Sequence, residues 1–373
     1  MRKTTVYDVA EKAGVSIATV SFTFRKPERV SEKTRKKVLA AANELGYAPS
    51  ASASGLAKGS TGALGLYSFD LSTEKPVPAV AEESLTDGDI ADPAGTAEQE
   101  NKETENPEEL DVRAYPLYVD EVQRGFELEC RSRGKTVLLS GGPVGERTPL
   151  ADLIGRVDGA AIFPTWPLTE DPLAALCRRS PIVHFSHRTG SDPMAYISAD
   201  NEQGIRSIVD HLIDVHGIRS MAFVGGAPTD DISIRAEAFL RRIGTRGIAM
   251  DHPVIAVSVT PDGYGLRTFT KWLKAGRLPR ALVCENDQLA LLITDRLMEA
   301  GLDVPGDVVV TGFDGILAAR INTPSIATVR QPMMAMGRLA ARLLIEQQGR
   351  PWDKPVSYTL PVRFVPGASC GCK

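Results

Sequence analysis

From residue 61 onward the chain repeats one pattern, a short apolar run followed by a stretch with helical spacing. The runs are ALGLY (63–67), TVLLS (136–140), GAAIF (159–163), PIVHF (181–185), AYIS (195–198), MAFVGG (221–226), PVIAVSV (253–259), ALVCE (281–285) and DVVVTGF (307–313). Amphipathic segments such as VDEVQRGFELECRSRG and DQLALLITDRLMEAG lie between most of them. Short, continuously apolar runs suit strands buried on both faces, and parallel strands need crossovers, usually helical. The alternation therefore predicts an α/β core of two doubly wound parallel-sheet subdomains, one built from about 61–196 and 330–350, the other from about 197–329 and 351–373.

The first 46 residues read differently. Thr5 and Asp8 suit the start of a helix in which Val6, Val9, Ala10 and Ala13 recur on one face. Gly14 stops it, Ser16 caps a second helix, IATVSFTF, and Ser31 opens a third with Val38, Leu39, Ala42 and Leu45 on one side. YDVAEKAGVSIATVSFTF at 7–24 thus gives two helices crossing at a tight turn, with small Ala10 at the crossing and Val20 inside. That is what a helix-turn-helix needs if its second helix is to enter a major groove about 12 Å wide. Residues 47–60, YAPSASASGLAKGS, form a linker by composition.

Charge supports this division. Residues 1–60 carry eleven Lys/Arg against five Asp/Glu, although the whole chain has a net charge of -4. A basic head suits phosphate binding. Residues 81–112 carry twelve Asp/Glu against one Lys, and the surrounding 72–113 is rich in Pro and Glu and too long for an ordinary loop. It predicts a disordered acidic insertion: a solvated loop, or else an interaction tail or a mimic of DNA charge.

Other chemistry is thin. Five cysteines at 130, 177, 284, 370 and 372 make no disulfide framework, and no apolar signal region or membrane span is present, so a cytoplasmic protein is expected. HFSH at 184–187 and the terminal CGC lack the partner spacing of a zinc site, so no metal is expected. FVGGAP matches neither dinucleotide nor phosphate-loop patterns, so no cofactor and no enzymatic activity are expected.

YDVAEKAGVS, TVS at 19–21, VSEKTRKKVLAAANELGYAPS at 30–50, DGAAIF, FVGG, ENDQLAL, GLDVPGDVVVTGFDG and TVRQPMMAMG together resemble the lactose-repressor (LacI/GalR) family of bacterial regulators. The resemblance covers essentially the whole chain except 72–113 and the last few residues. It implies a helix-turn-helix DNA-binding domain over 1–46, a hinge helix over 47–60 and an effector-binding core over 61–373, like the periplasmic sugar-binding proteins. It also implies a homodimer on a pseudo-palindromic double-stranded DNA operator.

By the same resemblance Ile17, Ala18 and Phe22 face bases, while Thr5, Ser16, Thr19, Ser21, Lys33, Thr34 and Arg35 contact phosphate or the groove edge. Three apolar side chains can touch a thymine methyl but donate no side-chain hydrogen bonds. The hinge matches at Ala53, Leu56 and Ala57, Leu56 being the residue that would wedge into the minor groove. In the cleft, Tyr118, Thr165, Asp200, Arg235, Asn286 and Asp314 match ligand-touching positions; for Arg235 and Asp314 the alternative is a plain salt bridge, and for Tyr118 and Thr165 plain packing.

Some positions depart from the family pattern. The aromatic platform that often stacks on the ligand is Ser258 or Val259, with Trp166 a possible substitute from the other half, and a common Asp-Arg pair is His187-Arg188. The implied function is a transcriptional repressor of carbohydrate uptake or metabolism genes, controlled by a sugar-like effector. The alternatives are a regulator with a non-sugar effector or none, and a solute-binding protein with a vestigial head.

Overall fold

A computed structural model of the chain describes residues 4–47, 60–68, 117–141, 148–163, 170–185, 190–226, 229–249, 253–260 and 263–372. They fall into two units, Met1–Gly62 and Ala63–Lys373. The linker positions Ala53, Leu56 and Ala57, the acidic stretch 72–113, and Thr165, Trp166, His187 and Arg188 lie outside the described residues.

The smaller unit holds helices α1 (Val6–Ala13), α2 (Ile17–Arg25) and α3 (Glu32–Glu44). The Asp8 carboxylate accepts from the Thr5 N–H at 2.7 Å and its hydroxyl at 2.6 Å, which fixes the start of α1. Gly14, at φ 58°, ends α1 in the left-handed conformation that glycine tolerates best. Ser16 and Ser31 accept from the N–H groups of Thr19 and Thr34 and cap α2 and α3. The core is Val9, Ala10, Ala13, Val20, Val38, Ala41 and Ala42. Leu39, expected inside, is 39% exposed, because Ala41 takes the place beside Val38 and Ala42 on the inward face.

In chain order the larger unit contains β1 (Ala63–Tyr67), α4 (Leu117–Ser132), β2 (Thr136–Ser140), α5 (Thr148–Ile154), β3 (Ala160–Ile162), α6 (Glu170–Leu176), β4 (Ile182–Phe185) and β5 (Ala195–Ala199). There follow α7 (Asn201–Asp214), β6 (Met221–Gly225), α8 (Asp230–Thr245), β7 (Val254–Ala256), β8 (Ser258–Thr260), β9 (Gly263–Gly265), α9 (Arg267–Lys274) and β10 (Ala281–Cys284). The remainder is α10 (Asp287–Glu299), β11 (Val309–Thr311), α11 (Leu317–Ile321), β12 (Thr328–Arg330), α12 (Met333–Gln347), β13 (Val356–Leu360) and β14 (Arg363–Val365).

Two parallel sheets result, ordered β13-β5-β4-β3-β1-β2 and β11-β10-β6-β7. The buried strands are those read from the sequence, with three differences. PVIAVSV is broken at Val257: β7 pairs with β6, while β8 turns away into an antiparallel hairpin with β9. β12 and β14, which form an antiparallel ribbon, are only three residues each and too short to stand out in sequence. β13, VSYTL, alternates half-buried and exposed positions because it lies at a sheet edge, so it lacks the apolar run of a central strand.

β13 also corrects the subdomain boundary. It pairs in parallel with β5, Val356 opposite Ala195 and Leu360 opposite Ala199, so residues through 360 belong to the first sheet rather than to the second half. The chain crosses between halves after β5, between β12 and α12, and between β13 and β14. The crossings support one another: the Asp200 N–H donates to Leu360 O at 2.9 Å, and β12 pairs with β14. In the first half α4 and α12 pack backbone to backbone. A Cβ on Gly125 would lie 2.1 Å from Met334 O, and one on Gly337 would lie 1.9 Å from Val122 O. No helix among the described residues is long and apolar enough to cross a membrane.

Candidate functional site

On the smaller unit, the start of α2 is a solvent-facing polar end. Ser16 Oγ lies 2.9 Å from Thr19 Oγ1, and the same arrangement recurs at α3, where Ser31 Oγ lies 2.8 Å from Thr34 Oγ1. A capped helix N-terminus carries partial positive charge and exposed N–H groups, which suit an anion. Ile17 is 42% exposed and Phe22 39%, and Ala18 is also exposed, so an apolar face of α2 is turned to solvent beside that end. The Arg29 guanidinium carbon sits 5.9 Å from the Phe22 ring centroid, placing a cation against the same face. Lys33 is exposed, Thr34 and Arg35 are half-buried on the first turn of α3, and Ser21 is half-buried on α2. Tyr7, 66% exposed on α1, was not singled out from sequence; its only signal was an aromatic residue just inside a helix cap.

The larger unit gathers Arg235, Asn286 and Asp314 at the carboxyl ends of β6, β10 and β11, where open parallel sheets bind ligands. Arg235, on α8, is 3% exposed. Its Nε donates to Asn201 Oδ1 at 2.8 Å and its Nη1 to Glu285 O at 2.6 Å, and Nη1 lies 3.6 Å from Asp314 Oδ1. Its guanidinium lies 3.8 Å from the Phe313 ring centroid. Asn201 in turn donates to Asp231 at 2.8 Å, so the arginine is held from three sides.

Asp314 sits at φ 116°, a conformation rare for a side chain with a Cβ. The neighbouring backbone holds it there: Asp287 Oδ2 accepts from the N–H groups of Gly315 and Ile316 at 2.7 and 2.8 Å, and Asp314 N donates to Val329 O at 2.8 Å. Gly315 is required beside it, since a Cβ there would lie 2.8 Å from Arg330 Cα. Gln331 Nε2 donates to Asp314 Oδ1 at 2.6 Å, while Gln331 Oε1 is buried without a hydrogen-bond partner among the described residues. Burial pushes the Asp314 carboxyl up to about 6, against the pull of the Arg235 charge, which lowers it. Burial, reinforced by the charge of Asp314, also raises Asp287 well above the usual carboxylate range.

The other candidates serve the framework as well. Asn286 caps α10 through Leu289 N at 2.8 Å and donates to the Tyr264 hydroxyl at 2.6 Å. Burial, then the charge of Glu285, raises the Tyr264 phenol well above its ordinary value. Asp200 caps α7 by accepting from Gln203 N at 2.9 Å. Tyr118 is half-buried on α4, edge-on to Phe163 at 6.1 Å. At the expected aromatic platform Ser258 is exposed in β8. Asn201, Glu285, Tyr264 and Gln331 were missed from sequence, because only the fold shows that they meet Arg235, Asn286 and Asp314.

Arg330 joins the two halves. Its guanidinium binds Glu121 of α4 through two nitrogens, Nη1 at 2.9 Å, and Nη1 also donates to Gly315 O at 2.6 Å. A residue on a crossover strand thus ties the first half to the backbone next to Asp314.

A guanidinium and a carboxylate are the donor and acceptor groups that recognise hydroxyl-rich or anionic small molecules; here Nε and Nη1 of Arg235 are already bound to Asn201 and Glu285.

Comparison with known proteins agrees with both units. Residues 5–50 match the model for bacterial regulatory proteins of the lacI family, and residues 209–370 match that for a periplasmic binding protein-like domain. Catabolite control protein A of Priestia megaterium is 26% identical over 96% of this chain and 97% of its own length. The lac repressor dimer bound to operator and the anti-inducer ONPF superposes with a TM-score of 0.75 at 24% identity, covering 99% of each chain. The transcriptional regulator CelR–cellobiose complex superposes with a TM-score of 0.63 at 25% identity, covering 98% of this chain and 100% of that one.

Proposed function

Because this chain is a member of the lacI family of bacterial regulatory proteins, we propose that it is a transcriptional repressor that binds a pseudo-palindromic operator as a homodimer and responds to a small effector. The observation that carries the reading is the exposed α2 face, Ile17, Ala18 and Phe22, set beside the capped and exposed start of the same helix. Phosphate contacts at Ser16, Thr19, Lys33 and their neighbours set register, and the apolar face reads thymine methyls and groove shape. The hinge positions Ala53 and Leu56, expected at the minor groove, lie outside the described residues. The cytoplasm is the compartment this function requires.

Arg235, Asp314 and Gln331 supply the polar floor of the effector cleft, and Tyr118, Asp200 and Asn286 line it more peripherally; Thr165, the remaining candidate, lies outside the described residues. A sugar or sugar-like polyol fits this floor, because its adjacent hydroxyls both donate to a carboxylate and accept from a guanidinium. Ser258 or Val259 at the usual stacking position favours a second reading, an effector bound by polar contacts alone, such as a small carboxylate drawn by the Arg235 charge. Effector binding shifts how the two halves meet, and the Arg330–Glu121 tie is the contact that would sense it. Leu317 and Ile321, one turn apart on α11 and 62% and 73% exposed, give the larger unit an apolar face suited to a second copy.

Operator sites selected from random duplexes, followed by a salt titration, test the DNA claim. Affinity should fall steeply with salt, by about 10³-fold or more between about 50 and 200 mM, and a flat response would sink it. Calorimetry with panels of sugars, polyols and small carboxylates separates the two effector readings.

A further inference from the structure

The end of the larger unit brings together four metal-binding side chains that are far apart in sequence. His211 lies in the last turn of α7, and His216 just beyond its end. Cys370 closes a 3-10 turn, Ala368–Cys370, and Cys372 follows it by two residues. The two histidine Nε2 atoms are 3.1 Å apart. Cys372 Sγ is 3.4 Å from each of them, and Cys370 Sγ is 3.7 Å from His211 Nε2. All four ligand atoms lie within 4.8 Å of one another.

Those spacings are the edges of a coordination polyhedron. Tetrahedral Zn²⁺, with Zn–N about 2.0–2.1 Å and Zn–S about 2.3 Å, places its ligands about 3.3 Å apart for N–N, about 3.6 Å for N–S and about 3.8 Å for S–S. The N–N edge and three of the four N–S edges lie within a few tenths of an ångström of these. Isolated hydrogen bonds would account for single pairs. Two nitrogens and two sulfurs gathered within 4.8 Å have the composition of an S₂N₂ zinc centre, and the two remaining edges need close by no more than about 1 Å to complete it.

The backbone around the two cysteines is fixed independently. Ser369 Oγ accepts from Ala327 N at 2.9 Å and donates to Val310 O at 2.6 Å, and Ala368 N donates to Ser325 Oγ at 3.0 Å, so the turn carrying Cys370 is pinned to β11 and to the segment leading into β12. Gly367 must be glycine, since a Cβ would lie 2.6 Å from Ala327 N. Gly371, at φ 90°, reverses the chain between the two cysteines and lets both sulfurs face the same side. His211 packs against the Phe364 ring at 4.6 Å. The nearby carboxylates do not compete: Asp210 is bound by Arg242 and Arg246, and Asp214 by Arg246.

We propose that His211, His216, Cys370 and Cys372 form a structural Zn²⁺ site that fastens the C-terminal turn to α7. Four protein ligands close the coordination sphere, as structural sites require, and Cys370 is only 2% exposed. The spacing that argues against zinc along the sequence belongs to the cysteine pair alone; its partner is a histidine pair about 160 residues earlier, reached only through the fold.

The test is elemental analysis of the full-length, untagged chain purified in reducing buffer, together with Cys372→Ser, His216→Ala and, as a control cysteine outside the cluster, Cys130→Ala. One equivalent of zinc is expected in the wild type and in Cys130→Ala, with loss in the other two. Because a variant can fail to fold, wild-type protein stripped with chelator is also titrated with Co²⁺. A strong tetrahedral d–d band with thiolate charge transfer is expected. Zinc at background levels with only the weak octahedral Co²⁺ spectrum would overturn the site. So would a Cys370–Cys372 disulfide that persists in reductant, or zinc retained by both Cys372→Ser and His216→Ala.

Discussion

Replacing Arg235 by Met removes its charge and donors while keeping most of its stem volume, and the structure fixes what that should cost. Two hydrogen bonds disappear, to Asn201 Oδ1 and Glu285 O, leaving buried acceptors and a loss of about 2–3 kcal/mol that does not depend on pH. The remaining effect passes through Asp314. Its folded pKa is raised from 3.8 to about 6, above the unfolded value, so ionising it in the fold is unfavourable. At about 1.4 kcal/mol per unit this penalty is about 3 kcal/mol above about pH 6; it shrinks as pH falls and is gone below the unfolded value. Removing the arginine raises this pKa further, because its charge is what holds it down. Above about pH 6 the gap between wild type and variant should therefore widen by about 1.4 kcal/mol per pH unit, until the variant's own pKa is reached. The expected destabilisation is about 2–3 kcal/mol near pH 5 and about 3–4 near pH 7. Urea unfolding of both proteins at several values between these limits measures it. A gap that stays flat with pH would refute the view that Arg235 is the counter-charge of Asp314, and a gap below about 1 kcal/mol would refute its buried hydrogen bonding.

Four further outcomes are expected. Phe22→Ala should lower operator affinity about tenfold without changing the salt slope, whereas Lys33→Ala should reduce that slope by about one; operator titrations across salt separate a groove contact from a phosphate contact. Glu121→Gln breaks a pair whose side chains are about a third exposed, so stability should move by less than about 1 kcal/mol, whereas Arg330→Ala also strands the buried Gly315 carbonyl and should cost about 1–2 kcal/mol. The effector-induced change in operator affinity should shift by up to about fivefold, and a response identical to wild type would remove the tie from the mechanism. Gly337→Ala would force a Cβ to 1.9 Å from Val122 O and should lower stability by about 2–3 kcal/mol in thermal unfolding. Gly244→Ala in α8, where a Cβ meets nothing within 4 Å, should raise it by about 0.5–1 kcal/mol.

The parts of this protein that depend on local order are written in neighbouring residues. Caps at Thr5, Ser16 and Ser31, the stop at Gly14, and the apolar runs of the central strands were all readable, because each is decided by residues within a few positions of one another. The linker, the acidic insertion and Leu56 were equally legible as composition or motif, but they lie outside the described residues.

Whatever depends on pairing across long separations emerges only in the folded chain. β13 looks like an exposed tail until β5 offers it an edge, and that pairing moves the subdomain boundary. Arg235 and Asp314 were candidates from their motifs. That they form a buried pair over Phe313, supported by Asn201, Glu285 and Gln331, follows only from strands ending at the same place. The terminal Cys-Gly-Cys shows the limit most clearly. Along the chain it lacks partners, and only the packing of the last turn against α7 brings His211 and His216 to it. A ligand set is a property of distances in space, and sequence spacing reports those distances only when one element carries every ligand.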